Sequence, residues 1–85
     1  MTALFDKAGK VARWPSKAAE RKEVLDWLAA FFEPGRVYAE REVNDILNAH
    51  HTFGDWALLR RELFESRRLE RNPRLGHYWV PGSLP

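Results

Sequence analysis

The sequence predicts a mainly α-helical fold with a small β-hairpin at its C-terminal end. Three observations lead there. Apolar residues recur at three- and four-residue steps in three separate stretches, the spacing of helix faces turned to one core. Glycine- or proline-bearing breaks such as EPG and HHTFG separate those stretches. After the third, the short runs RLER and HYWV flank NPRLG, where Pro73 and Gly76 mark a turn between two strands.

The elements follow in order. Residues 1–15 read as an N-terminal arm or short hairpin, with a turn-like D-K-A-G centre in LFDKAGKVARWP. Residues 16–80 form the main domain and 81–85 a tail. Ser16 is placed to N-cap a first helix running to about Phe32. Val24, Leu25, Leu28, Phe31 and Phe32 make its apolar stripe. Pro34 cannot continue that helix and Gly35 allows a turn. RVY is a short extended piece. The second helix runs from about Glu40 to His50, with Val43, Ile46, Leu47 and His50 on one face. Glu40 and Glu42 suit its positive N-terminal end. The third runs from about Asp55, its expected cap, to Ser66, with Trp56, Leu59 and Leu63 as its buried edge. Alternation along HYWV puts one aromatic inward, and Trp79 is expected in the core with Tyr78 partly exposed. Helix, short strand, helix, turn, helix, strand, loop, strand is the order of a winged helix-turn-helix. In that fold the last helix enters the major groove and the hairpin, or wing, touches backbone or minor groove.

Composition bounds the function. The chain has 85 residues, enough for one domain with a small core. It contains no cysteine, which excludes disulfides, thiolate nucleophiles and Cys-type zinc sites and fits a reducing cytoplasm. No apolar run approaches membrane-span length, and the N-terminal stretch lacks the apolar segment of a secretory signal. No membrane partner is therefore expected. The formal net charge of +2 permits nucleic-acid binding without demanding it. Its distribution is uneven. Both ends are mildly basic and the middle is acidic. From Asp55 to His77 every Lys-or-Arg position is an arginine, the type suited to bidentate phosphate and guanine contacts.

Arg61, Arg67, Arg68, Arg71 and Arg74 are the candidate nucleic-acid contacts, with Tyr78 as a stacking surface. Arg74 falls at the expected wing tip, where an arginine reaches phosphate or a narrow minor groove. The alternative for each is an inert solvated arginine. Arg60 has a second reading as a structural clamp on Glu40, Glu42 or Asp45. Asn44, polar within an apolar helix, is a structural hydrogen-bonding candidate, as is Asp55. Glu62 and Glu65 on the third helix repel phosphate and weaken a sequence-specific reading. No metal site is expected, because His50, His51 and His77 lack ligand spacing. No cofactor and no enzymatic activity are expected either: no nucleophile has a placed base, and no Gly-rich phosphate loop occurs.

Four segments also carry a resemblance. RWPSK, FEPGRVYAEREVNDIL, HHTFGDWALLRREL and LERNPRLGHYWV resemble an uncharacterised bacterial domain-of-unknown-function family. Its pattern runs W-P-K, F-x-x-G-x-x-Y-T-E-x-E-V-N-x-x-L, D-x-x-x-L-R-R-x-L, L-x-R and G-x-x-Y-W. The resemblance spans about Arg13 to Val80. It implies a bacterial regulator-type module found alone or fused behind ArsR-like helix-turn-helix domains, and brings no established activity. Tyr38, Glu40, Glu42, Val43, Asn44, Asp55, Leu59, Arg60, Arg61, Leu63, Gly76, Tyr78 and Trp79 match. Two positions depart. Ala39 stands where the family often has Thr, which removes a helix cap at a cost of about 1 kcal/mol. Arg67 stands where Gly usually follows the third helix; a left-handed conformation there costs roughly 1 kcal/mol.

Three functions are consistent with these residues. The first is double-stranded DNA binding by a winged helix, in transcription regulation or nucleoid organisation. The second is a protein-interaction module with surface charges only. The third is an RNA or single-strand binder using the wing and its aromatics. A homodimer would add the surface that one short module lacks for high specificity.

Overall fold

The computed structural model describes residues 4–83. Residues 1–3 of the expected arm and 84–85 of the expected tail lie outside the described residues. The elements are α1 (Ala18–Ala29), β1 (Tyr38–Ala39), α2 (Glu40–Ala49), α3 (Trp56–Glu65), β2 (Glu70–Asn72) and β3 (His77–Trp79). Three helices thus precede an antiparallel C-terminal hairpin, in a winged-helix arrangement. The strands form one sheet in the order β1-β3-β2, with both pairings antiparallel.

The three helical stripes meet as their spacing predicts. Val24, Leu25, Leu28, Phe32, Val43, Leu47, Leu59 and Leu63 are buried in one cluster. Leu69, Val11, Tyr38 and Tyr78 complete it. Val11 brings in the arm: Phe5 and Val11 form an antiparallel bridge, and Asp6 Oδ1 accepts from the amides of Ala8 and Lys10 in the turn between them. Val11 then accepts from Thr52 N and donates to His50 O, which ties the arm to the connection after α2. His51 is buried there. Its Nδ1 lies 2.6 Å from Leu47 O, where only an N–H makes a hydrogen bond.

Several expectations are corrected. Ser16 does not cap α1; Lys17 holds that position and no side chain accepts a hydrogen bond. The helix also stops at Ala29, so Phe31 leaves the stripe and is 38% exposed. Trp56 is 39% exposed rather than buried. It is the first residue of α3, with no preceding turn of helix to pack beside it. The aromatic parity of β3 is reversed: Tyr78 is buried and Trp79 is only partly so. Register explains this. Tyr78 stands opposite the buried Tyr38, and directly paired residues share a face. Trp79 shares the outer face with Glu70, whose Oε2 accepts from its indole N–H at 2.9 Å.

The two family departures are accommodated differently. Ala39 offers no side-chain acceptor, but Glu42 Oε1 reaches back to its N–H at 3.0 Å. The carbonyl of Gly76 in the wing turn accepts from Glu40 N, satisfying another amide of the first turn. Arg67 does adopt the left-handed conformation, with φ of 63°. Arg67 N donates to Phe64 O and Arg68 N to Leu63 O. Those two bonds make the Schellman ending of a helix, with arginine in the position usually held by glycine.

Candidate nucleic-acid interface

The arginines of α3 and the hairpin separate into two groups. Arg60 and Arg68 are engaged. Arg60 Nη1 donates to Asn44 Oδ1 at 2.6 Å, and its Nη2 lies 3.4 Å from Glu40 Oε1. Glu40 and Asn44 are one helical turn apart, so a single face of α2 presents both acceptors. This is the clamp reading of Arg60, with Glu40 as the acidic partner and Asn44 as the amide that completes it. Arg68 Nε and Nη2 both reach Asp26 Oδ1, at 2.8 and 2.7 Å, and its side chain is 19% exposed. The pair pins α1 to the hinge between α3 and the wing. Asp26 also accepts from Lys22, and these two cations hold its carboxyl below the usual range, Arg68 foremost.

Arg61, Arg67, Arg71 and Arg74 are exposed. Arg61 has one weak contact, 4.0 Å to Glu65. Arg71 lies with its guanidinium carbon 4.2 Å from the centre of the Phe64 ring, a cation–π contact that leaves its N–H groups unspent. Arg74 sits on the tight wing turn, where Asn72 Oδ1 accepts from its backbone amide. Asn72 O further accepts from Leu75 N and Gly76 N, so the turn that carries Arg74 is internally braced.

Between α3 and the hairpin runs an open groove of about 440 Å³. Leu58, Arg60, Arg61, Phe64, Arg71 and Tyr78 line it, with Asp55 and Ala57 from the start of α3. Asp55 is the N-cap as expected: its Oδ1 accepts from Leu58 N at 3.1 Å. Glu42 is occupied near the other end of the sheet, by Ala39 N–H and by Arg36 at 2.9 Å. The Ala39 amide, followed by Arg36, lowers its pKa. Tyr78 is not a stacking platform. The whole residue is 3% exposed, which leaves no ring face open for a base to stack on. Phe64 was not singled out from the sequence; its position one helical turn after Arg60 was the available signal.

A family model described as an uncharacterised protein conserved in bacteria, DUF2087, matches residues 10–80. The chain belongs to the DUF2087 family. The DUF2087 match takes in all three helices and the hairpin, together with the last part of the arm, including Val11. Comparison with curated proteins and with solved structures gives no match. Among the described residues no helix is long and apolar enough to cross a membrane.

Proposed function

We propose that this protein is a double-stranded-DNA-binding module of the transcription-regulator type, acting by binding and not by catalysis. The outer side of α3 and the wing would face the duplex. One observation carries the reading. Arg60 and Arg68 are paired with acidic groups, whereas Arg61, Arg67, Arg71 and Arg74 are left exposed along α3, its hinge and the wing. Arg61 and Arg71 line the groove between α3 and the hairpin, Arg67 and Arg74 flank it at the hinge and the wing turn, and phosphate is the ligand such arginines suit. Binding of a generic duplex across a salt series tests it. Affinity should fall with a log–log slope of about −0.9 per phosphate contact. Absence of duplex binding even at low salt would end the proposal.

Glu62 and Glu65 on α3 favour a second reading, a protein-interaction module that uses the same surface. The single-strand reading loses its main support with the burial of Tyr78.

A further inference from the structure

The groove contains a polar group that simple phosphate steering does not use. Tyr78 is 3% exposed and lines the groove. Its hydroxyl donates to no group among the described residues. Nor is its oxygen among the polar atoms sealed from solvent without a partner. A buried tyrosine hydroxyl ordinarily finds a hydrogen-bond partner. This one meets the groove instead.

We propose that the α3–wing groove is a discrete seat for one phosphate ester, with the Tyr78 hydroxyl donating to a phosphoryl oxygen and Arg71 and Arg61 neutralising its charge. Where the ester is a DNA phosphodiester, this rests on the function proposed above; a free nucleoside monophosphate presents the same oxygens. Several features fit. Arg71 pairs directly with Tyr78 across β2 and β3, so both project from one face of the sheet. The Phe64 ring holds the Arg71 guanidinium in place, which lowers the ordering cost of binding. Arg60 contributes little charge, being tied to Asn44 and Glu40. The opposing carboxylate, Asp55, is engaged by Leu58 N at the start of α3. A volume of about 440 Å³ exceeds the needs of a bare phosphate and leaves room for an attached sugar.

Two variants and two probes decide it. Tyr78→Phe removes one oxygen and no protein hydrogen bond, so the melting temperature should hold. Duplex affinity should fall about tenfold or more, as for a lost hydrogen bond to a charged group. The salt slope should not change, because a neutral donor releases no counterion. Arg71→Gln should weaken binding and also lower the slope by about 0.9. The second probe is adenosine 5′-monophosphate, followed by NMR at the Phe64 ring, which also lines the groove, with a saturable shift expected in the parent and a markedly weaker one in Tyr78→Phe. If both variants bind duplex as tightly as the parent, the seat is overturned while duplex binding stands. If duplex does not bind but the monophosphate saturates the groove in a Tyr78-dependent way, the DNA reading falls and the seat stands. If neither probe shifts the Phe64 ring, the seat is overturned.

Discussion

Arg60 and Arg61 are adjacent in sequence and opposite in surroundings. The first joins α3 to α2 through Asn44 and Glu40; the second reaches only Glu65, at 4.0 Å. Arg60→Ala should therefore destabilise the fold by about 1.5–3 kcal/mol, the range for hydrogen bonds to a charged group. Arg61→Ala should stay within about 0.5 kcal/mol, since exposed helix pairs contribute little. Thermal melts of the two variants side by side check this, and equal shifts would remove the clamp. Arg67 presents a different balance. Its left-handed backbone costs roughly 1 kcal/mol that glycine would not incur. Arg67→Gly should raise stability by about that amount. If the cation earns its place on the duplex, the same change lowers the salt slope of binding by about 0.9. A gain in stability with unchanged binding would leave the strain without a functional explanation.

The helices and the hairpin differ in how readily their sequences could be read. A helix repeats its buried face every three or four residues, so Val43 with Leu47 and Leu59 with Leu63 declare themselves without any partner in view. Leu63 is fully buried among all three helices' side chains, and Leu63→Ala should cost about 2–5 kcal/mol. Chemical denaturation measures it, and a loss under 1 kcal/mol would mean the core collapses around the gap. A three-residue strand such as His77–Trp79 offers no such repeat. Tyr78 and Trp79 are both aromatic, so polarity does not tell inside from outside. The pairing of Tyr78 with Tyr38, distant in sequence, decides it. The Arg68–Asp26 contact was illegible for the same reason: it joins positions 42 residues apart, and either side chain alone reads as surface charge. Asp55 was legible as a cap because capping is a local backbone matter, whereas the left-handed Arg67 was legible only through the family resemblance, which usually has glycine there.

At the scale of the molecule, the acid side of the stability curve should carry contributions in two windows, one from His50 and one shared by Asp26 and Glu42. Asp26 has a folded-state pKa below its ordinary 3.8, through Arg68 and then Lys22. Its contribution is present above 3.8 and is lost as pH falls through the lowered value. His50, stacked on Phe31, is pushed below its ordinary 6.5 by burial and then by Lys10. Its neutral form belongs to the folded state, so its contribution is complete above 6.5 and declines as pH falls towards the lowered value. Melting temperatures from pH 7 to pH 3 should therefore decline first in the histidine window and again below pH 4. Asp26→Asn should leave the first decline unchanged and reduce the second, whose remainder belongs to Glu42. A variant curve parallel to the parent throughout would show that the tie between α1 and the hinge adds nothing measurable.

The sheet order places β1 and β2 on the outside, and these strands are two and three residues long. A free strand edge is a template on which another chain can add itself, and long apolar edges are where fibrils begin. Here one edge ends almost as soon as it starts, running straight into α2, and the other carries Glu70 and Arg71. The brevity that made the hairpin hard to read from its residues also denies a neighbouring molecule any length of backbone to join. Crowding this protein in a tube should bring its surfaces together through side chains, and not through shared sheets.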